Sequence, residues 1–351
     1  MKKAKTLFLL LSAATLASCT VSGSNNASSS TGIADVSLSS PSGDSVDANI
    51  GKAQLSATLL KMKDKKTFGV SLKGTAKTIS DVESESSTVS YGSETSSYEY
   101  ANHQNYDITD LVVDGQVKDL GSSSCAFSAS FSANLKYSYQ GDFTSSSPVT
   151  YDGPVSGKAY YQAGMLYGDG TSFLGAVNPS MSSEQVSKTK IKMAYSLPAL
   201  DWTMILQGMN YLEQYGFVAS TLAGENGVFY YVYKISCYDF IKHQMGSLPP
   251  KDGTYKGGIE IWLSFDSSKI IGIGVTSDLD FDYILTSSSS LDDDKDGTDD
   301  TFYASTYHNE GTMEVDLKGS LSYEGISVES VPDPENYVLV GDGPIEGPAS
   351  E

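Results

Sequence analysis

Residues 125–139 read CAFSASFSANLKYSY, and this stretch decides the fold because large and small side chains alternate along it. One set of alternate residues is mostly apolar or aromatic: Cys125, Phe127, Ala129, Phe131, Ala133, Leu135, Tyr137 and Tyr139. The residues between them are mainly serine, with Asn134 and Lys136. Successive side chains of a strand point to opposite faces, so the pattern predicts a long strand with one covered face and one wet face.

The same period of two recurs later in the chain, at residues 259–265, 271–285 and 313–323. In the first of these segments, Leu263 would face the core and Ser264 would face water. Residues 227–238, GVFYYVYKISCY, are also predicted as a strand, and Ala163-Gly164 predicts a hairpin turn. Clean alternation is typical of antiparallel sheets that have one face in water.

Two segments have the spacing of amphipathic helices. The first, residues 47–63, has Asp47 as a cap and a predicted apolar stripe of Ile50, Ala53, Ala57 and Leu60. The second, residues 196–216, has Ser196 and Pro198 as start signals and Gly216 as a stop. We therefore predict an α+β fold that is mostly β: a curved antiparallel sheet, or half-barrel, with a few amphipathic helices on its apolar face.

The N-terminus, MKKAKTLFLLLSAATLASC, has a basic head, a short apolar core and then small residues. This order is typical of a secretion signal, and the apolar core is too short to span a bilayer. Leu16-Ala17-Ser18-Cys19 resembles the lipobox of bacterial lipoproteins. The resemblance implies cleavage before Cys19, acylation of its thiol, and an extracytoplasmic protein anchored to a bacterial membrane by lipid.

Composition divides the chain into four segments. We predict a lipoprotein signal peptide at residues 1–18, a Ser-rich flexible tether at 19–46, a β-rich domain at 47–325 and a mobile, acidic, Pro/Gly-rich tail at 326–351. Within the domain, Ser-rich stretches near 80–106 and 140–155 are predicted as long hairpin loops or insertions.

Charge excludes one class of partner. The chain has 43 acidic and 23 basic residues, a formal net charge of -20, and every basic residue is lysine. Nucleic-acid recognition depends on basic patches and on the planar fork of arginine. The sequence therefore predicts no nucleic-acid partner, and a surface suited to solubility or to cation binding.

The remaining cysteines leave two alternatives open. Cys125 and Cys237 are an even pair in a chain predicted to be exported, which allows a disulfide. They have no metal-ligand spacing, and buried free thiols fit the sequence equally well.

Catalytic chemistry has weak support in the sequence. His103, His243 and His308 lie outside any metal-binding or nucleophile motif and are predicted at the surface. Asp278 and its neighbours Asp280 and Asp282 share one face of a strand, where paired carboxylates would suit acid/base work on sugars. They alternate strictly with apolar residues, as a solvated face does, so we predict a protein that is not an enzyme.

One acidic segment has the spacing of a metal site. Residues 290–302 read SLDDDKDGTDDTF, and D-x-D-x-D-G-x-x-D within them resembles the calcium loops of EF-hand, dockerin and thrombospondin type-3 repeats. The resemblance implies calcium as a possible cofactor, held by Asp292, Asp294, Asp296, Asp300 and the Thr298 carbonyl. The twelfth position is Tyr303 instead of an acid, and strands are predicted on both sides, so a solvated hairpin tip is the alternative.

The order of elements over about residues 47–325 resembles the lipoprotein-carrier (LolA-like) half-barrel superfamily. That order is a helix, strands, a hairpin, a helical insertion and further long strands. The resemblance implies a curved sheet that wraps helices and binds acyl chains. We therefore expect a surface lipoprotein whose β-rich domain binds an apolar or lipid-like ligand. The alternatives are a surface adhesin or scaffold that contacts glycans or proteins through Tyr-rich strands and calcium-ordered loops, and a glycan-processing enzyme.

Overall fold

The computed structural model describes residues 40–90, 96–141, 148–169, 190–195, 201–291 and 301–339. The described residues form three α-helices: α1 (Ala48–Met62), α2 (Met204–Gln214) and α3 (Cys237–Met245). They also form fourteen strands: β1 (Asp44–Val46), β2 (Phe68–Ser90), β3 (Ser96–Lys118), β4 (Ala126–Gly141), β5 (Val149–Gln162), β6 (Met165–Asp169), β7 (Lys190–Ala194), β8 (Val218–Ala223), β9 (Phe229–Ser236), β10 (Thr254–Lys256), β11 (Gly258–Phe265), β12 (Ile270–Leu291), β13 (Thr301–Ser322) and β14 (Val338–Leu339).

All fourteen strands belong to one curved, unclosed sheet, which confirms the predicted fold class. The order is β1-β8-β9-β11-β12-β13-β2-β3-β4-β5-β6-β7-β14, and β10 pairs with β12 beside β11. Neighbouring strands are antiparallel except β14, which is parallel to β7. The predicted hairpin is present between β5 and β6, where Ala163 and Gly164 both have positive φ, as a tight two-residue turn requires.

The helices cover one face of the sheet, which we call the helix face. Leu55, Leu59 and Met62 of α1 are fully buried in a core that also contains residues of β9, β11 and α2. Trp202, just before α2, belongs to the same core, and its indole Nε1 donates a 2.8 Å hydrogen bond to the Lys65 carbonyl. Burial of these large side chains is the main stabilising contribution at this end of the sheet.

Helix α1 buries a different stripe from the predicted one. The Asp47 cap is confirmed, since its carboxylate accepts the Asn49 N–H at 2.8 Å. Ile50 and Leu60, however, are 52% and 63% exposed, and the buried residues are Gly51, Leu55, Thr58, Leu59 and Met62. The prediction was wrong because it followed the two flanking aliphatic residues. The helix instead packs on the sheet through the side that contains Gly51, which allows close approach, and the three large residues Leu55, Leu59 and Met62.

Helix α3 was missed from the sequence. Residues 227–238 were predicted as one strand, but β9 ends at Ser236 and α3 begins at Cys237. Ser236 caps the helix, since its Oγ accepts the Asp239 N–H at 3.1 Å, and Gly246 ends it in the left-handed conformation. Helix α2 also begins later than predicted, at Met204, and the proposed start at residues 196–198 lies outside the described residues.

A second apolar cluster on the helix face consists of strand residues alone, as far as the structure describes the chain. Its buried members are Leu72, Leu111, Val113, Phe131, Ala133, Leu135 and Val155. Phe131, Ala133 and Leu135 belong to the predicted covered face of β4, and Ser132, Asn134 and Lys136 between them are exposed. The facing predicted for β4 is therefore confirmed over this part of the strand.

The Ser-rich stretch near 80–106 is sheet, not loop. Strands β2 and β3 pair residue by residue from Phe68–Val117 to Thr88–Ser96, with one irregularity near Gly74. In the second stretch, residues 149–155 belong to β5. The prediction was wrong because high serine content does not prevent strand formation: an antiparallel partner satisfies the backbone whatever the side chains are. The long ends of four strands, residues 279–291, 301–313, 78–90 and 96–106, form what we call the arm.

The face opposite the helices, here the outer face, is not wet throughout. On β11, Trp262 and Ser264 point to this face and are each 1% exposed, so the prediction that Ser264 faces water was wrong. The Trp262 ring covers Gly274 of the neighbouring strand so closely that a side chain there would overlap it. Alternation alone did not identify this burial because a glycine on the adjacent strand creates the space for the indole.

The start of the predicted mobile tail packs on the outer face. The Glu329 N–H donates a 3.0 Å hydrogen bond to Ser128 Oγ, and Lys158 Nζ lies 3.0 Å from the Glu329 carboxylate. Tyr337 is buried, and β14 then pairs with β7. The prediction of a mobile tail is therefore wrong for residues 329–339, because hydrogen bonds and the buried ring of Tyr337 hold them on the sheet.

At the N-terminal end of the domain, β1 extends the folded part to Asp44, three residues before the predicted boundary.

Both described cysteines, Cys125 and Cys237, are free and buried. Burial raises the pKa of each thiol. Of the two alternatives left open by the sequence, a disulfide or buried free thiols, the structure has buried free thiols.

Within the described ranges, no helix is long and apolar enough to cross a bilayer.

Candidate functional site

The helix face of the arm, and of the adjoining parts of β4 and β5, is lined with tyrosines. Residues paired directly across antiparallel strands share a face, and Tyr106, Tyr137 and Tyr151 form one row across β3, β4 and β5. On the opposite side of the arm, Tyr283 of β12 and Tyr307 of β13 point to the same face. We call this surface the tyrosine face, and its members are Tyr106, Tyr137, Tyr139, Tyr151, Tyr283, Tyr303 and Tyr307.

Small side chains separate the two groups of tyrosines. Strand β2 contributes Ser80 and Ser84 to the middle of this face, and β13 contributes Gly311 next to Ser80. Tyr106 lies on β3 and Tyr307 lies on β13, the two neighbours of β2, so the two groups are two strand spacings apart, roughly 10 Å along the sheet. The result is a shallow band of small residues with aromatic rings on both sides.

The rings are partly packed and partly open. Tyr106 and Tyr137 are in contact, with ring centroids 4.9 Å apart, and both rest against the strand-only apolar cluster. Tyr303 and Tyr307 are exposed. Burial raises the pKa of Tyr137 to about 12, and burial also raises the pKa of Tyr151 and of Tyr283. These three hydroxyls therefore stay protonated at neutral pH and can both donate and accept hydrogen bonds.

Side-chain amides lie among the rings. Gln104 is directly across from Tyr139, and Asn309 is directly across from Tyr283. Asn102 of β3 lies in the same row as Asn309, and its Oδ1 is shielded from solvent without a hydrogen-bond partner in the part of the chain described. Amides and phenols together offer both donors and acceptors without any formal charge.

An aromatic ladder borders the site at α3 and β10. The ring of Tyr255 stacks on Tyr283 at 5.9 Å, and Tyr238 meets Tyr255 edge-on at 5.4 Å. Phe281 contacts Tyr283 at 6.0 Å, and its ring lies over Gly311. These contacts fix the orientation of Tyr283 at the edge of the band.

Charge is segregated between the two faces of the arm. On β2 to β5, β12 and β13, every described position of the tyrosine face from the row of Leu279 to the row of Ser289 is uncharged. The acids occupy the outer face: Asp81, Glu83, Glu85, Asp278, Asp280, Asp282, Glu310 and Glu314. A ligand on the tyrosine face therefore meets rings, amides and hydroxyls, with the carboxylates behind the sheet.

The three aspartates of β12 share the outer face, as the sequence predicted, and each has a partner. Asp278 Oδ1 accepts the Gly258 N–H at 2.8 Å, and Lys256 Nζ donates to Asp280 Oδ2 at 2.8 Å. Asp282 Oδ1 lies 2.8 Å from His308 Nε2. These contacts fix the β10–β11 bend and the arm, so the three carboxylates are engaged in structural pairs.

The histidines lie at the surface, as predicted. The hydrogen bond that His308 donates to Asp282, together with the charges of Asp282, Glu83 and Glu310, raises the pKa of His308. His103 contacts Asp81 on the same outer face, and the ring of His243 contacts Tyr215. No set of three metal-ligating side chains is arranged to hold an ion in the described parts of the chain.

The two sites named from sequence motifs lie outside the described residues. Cys19 precedes residue 40, and Asp292, Asp294, Asp296, Thr298 and Asp300 fall between β12 and β13. The flanking strands pair as far as Leu291–Thr301, which confirms that strands flank this segment. No protein-family model and no curated protein matches the chain.

The tyrosine face was not assembled from the sequence, although its signal was present. Tyr137 and Tyr139 end the stretch that decides the fold, and Tyr307 lies between the polar residues Thr306 and His308. Their common face depends on the register of β3, β13 and β2, which no local pattern specifies.

Proposed function

We propose that this chain is a lipid-anchored bacterial surface protein that binds neutral glycans on its tyrosine face. The observation that supports the proposal most directly is the segregation of the arm: aromatic rings and amides on one face, and acids on the other. Binding, and not catalysis, is the role we assign to it.

The residue types suit sugars. Aromatic rings offer apolar surface to the C–H faces of a pyranose, and a tyrosine adds a hydroxyl at the edge of that surface. Amides such as Gln104 and Asn309 both donate and accept, as sugar hydroxyls do.

Charge favours a neutral ligand over an anionic one. The chain carries a net charge of -20, and its long-range field repels anions, sulfated or uronic-acid glycans included. The tyrosine face itself has no charge with which to compensate for that repulsion. Neutral oligosaccharides are therefore the ligand class that the site favours.

A glycan array tests this proposal. We expect the wild-type protein to retain neutral oligosaccharides and the double variant Tyr139→Ala/Tyr307→Ala to lose them. The matched control is Ser138→Ala/Thr306→Ala, which changes the preceding residue on each of the same strands and faces the outer side. Retention of glycans by the tyrosine variant, or no retention by the wild type, would overturn the proposal.

The anchor is a separate part of the proposal. Cys19 closes a lipobox-like run, and two or more acyl chains hold a protein stably at a membrane. Cys19→Ala should move the protein from the membrane fraction to the soluble fraction. Cys125→Ala, at a buried free thiol, should leave the distribution unchanged. Membrane retention of Cys19→Ala would contradict the anchor.

A second candidate is an apolar or lipid-like ligand on the strand-only cluster. The observation that favours it is that seven buried apolar residues, Phe131 and Leu135 among them, form a cluster without any described helix residue. Native mass spectrometry of the purified protein tests it. A co-purified lipid that is lost in Phe131→Ala would support this candidate, and a protein of bare polypeptide and anchor mass would remove it.

A further inference from the structure

Helix α1 has apolar residues on two opposite sides. Its buried side, which contains Leu55 and Leu59, packs on the sheet. Successive residues of a helix are turned by about 100°, so a second line of apolar residues lies on the side away from the sheet. This line, which we call the α1 stripe, consists of Ile50, Ala53, Ala57 and Leu60, and all four are exposed. A helix that is apolar on both sides is ordinarily covered on both sides, so the stripe indicates a second neighbour.

Contacts with the rest of the protein occupy the two flanks of the stripe and leave the stripe itself open. On one flank, Lys52 Nζ lies 3.1 Å from the Glu213 carboxylate of α2. On the other flank, Lys61 Nζ donates a 2.8 Å hydrogen bond to the Ser267 carbonyl in the turn between β11 and β12. The open part is therefore a narrow apolar line on the surface, which suits a flat partner.

Basic residues are concentrated where the helix ends. Residues 61–66 read KMKDKK, four lysines against one acid, and all five charged residues are exposed. The chain as a whole has the opposite balance, with 43 acidic and 23 basic residues. Lysines beside an exposed apolar helix face are typical of helices that lie in the headgroup region of a bilayer. The aliphatic side chains then enter the acyl boundary, and the lysines meet lipid phosphates.

The acids of the arm are far from this end of the sheet. The Ile270 N–H at the start of β12 lies 3.2 Å from Met62 Sδ of α1. Asp278 and Asp282 are eight and twelve residues further along the same strand, roughly 25 to 40 Å from Ile270 at about 3.3 Å per residue. Salt screens exposed charges beyond roughly 8 Å. The lysines of residues 61–66 therefore set the charge beside the stripe, and the acids act at the arm.

We propose that α1 lies on a phospholipid bilayer that contains anionic lipid, with the α1 stripe in the headgroup region and residues 61–66 against the lipid phosphates. Position in the chain favours this partner, because α1 is the first helix of the described chain and begins 29 residues after Cys19. The stripe has only two large side chains, so a lipid anchor is needed to hold it at the membrane at a high effective concentration. The inference rests on the anchor in the proposed function and is independent of glycan binding.

Quenching of a fluorescent label by the bilayer tests this contact in the full chain. Ala57→Cys places a label within the stripe and keeps its two large side chains. Ser132→Cys places the same label at an exposed position on the outer face of β4. Cys125 and Cys237 are buried, so the label goes to the new thiol. The protein is incorporated into vesicles of phosphatidylcholine and phosphatidylglycerol, flotation measures the incorporation, and doxyl groups on the acyl chains quench a label that lies in the bilayer.

We expect the label at residue 57 to be quenched at least about threefold more strongly than the label at residue 132, since an interfacial helix lies roughly 5 to 10 Å deep in the headgroup boundary. Adding Lys63→Glu/Lys66→Glu to the Ala57→Cys protein should remove this excess, because anionic lipid repels the new acids.

Adding Ile50→Ser/Leu60→Ser should also remove the excess. The matched control is Val218→Ser/Val338→Ser, since these aliphatic residues are likewise exposed, at 71% and 47%, and it should leave the quenching unchanged. Protein that floats with the vesicles but shows equal quenching of both labels, or an excess that survives the serine or the glutamate changes, would overturn this inference and leave the anchor standing. Protein that does not float would overturn the anchor and the inference together.

Discussion

Gly51 of helix α1 lies directly against Thr221 of strand β8, with no room for a side chain between them. A Cβ at position 51 would overlap the hydroxyl, the methyl group and the Cβ of Thr221. Both residues are buried, and Thr221 Oγ1 has no hydrogen-bond partner among the described residues. This contact sets the distance between α1 and the sheet, and it explains why the helix buries the side that contains Gly51.

Gly51→Ala should therefore destabilise the fold by about 1 to 3 kcal/mol, although alanine is the better helix former. Urea unfolding measures the change. Gly51→Ala/Thr221→Ala should cost less than the sum of the two single changes, because the shorter residue relieves part of the overlap. A neutral or stabilising Gly51→Ala would mean that the helix does not pack this closely.

A second prediction compares the stability cost of aspartate at buried positions on both faces of the sheet with its cost at an exposed position. Phe131→Asp and Ser264→Asp should each cost several kcal/mol, because both positions are buried and an unpaired charge would be placed there. Ser132→Asp, on the exposed side of β4, should change stability by less than about 0.5 kcal/mol. Chemical denaturation of the three variants measures their free energies of unfolding and shows which of these positions are buried. Equal tolerance of Ser264→Asp and Ser132→Asp would contradict the burial assigned to the outer face at β11.

His308 predicts a pH dependence. The folded protein raises its pKa through Asp282, Glu83 and Glu310, so folding favours the protonated ring. That contribution is fully present below the unfolded value of 6.5 and is lost as the pH rises through the folded pKa. His308→Asn should weaken the fall in urea midpoint above pH 6.5, and Asp282→Asn should lower the pKa of His308 in an NMR titration. An unshifted His308 in the wild-type protein would contradict the pair.

The calcium loop predicted from the sequence can be tested through stability. Calcium at millimolar concentration should raise the melting temperature, because an ion that binds only the folded loop stabilises the protein by mass action. Asp294→Asn/Asp296→Asn should abolish that rise and leave the sheet folded. Calorimetry with calcium and magnesium makes the measurement. A shift no larger with calcium than with magnesium would leave the segment a solvated hairpin tip.

Side-chain alternation predicted the sheet because the order of apolar and polar residues within a single strand shows which side chains face the core and which face water. The pattern in residues 125–139 identified the buried Phe131, Ala133 and Leu135, and the segments at 259–265, 271–285 and 313–323 belong to the one sheet apart from Tyr323, which follows β13. The turn between β11 and β12 likewise depends on neighbouring residues, since Asp266 Oδ1 accepts the Lys269 N–H at 2.9 Å. Signals of this kind need only neighbouring residues.

What the sequence did not predict depends on other parts of the chain. The buried side of α1 is decided by Thr221, and the burial of Trp262 is decided by Gly274 on the next strand. The anchored C-terminal segment depends on Ser128, about 200 residues away. The tyrosine face depends on register across six strands, which is why alternating tyrosines were read as ordinary covered or wet positions.

The central claim is that the tyrosine face binds neutral glycans, and isothermal titration calorimetry with the oligosaccharide best retained on the array tests it most directly. We predict that Tyr139→Ala/Tyr307→Ala weakens binding at least about tenfold, a loss of about 1.4 kcal/mol, while Ser138→Ala/Thr306→Ala binds as the wild type does. Both variants should remain folded, which far-UV circular dichroism checks, because Thr306 and Tyr307 are exposed and Ser138 and Tyr139 are half-buried. Equal affinities for the two variants would contradict the claim.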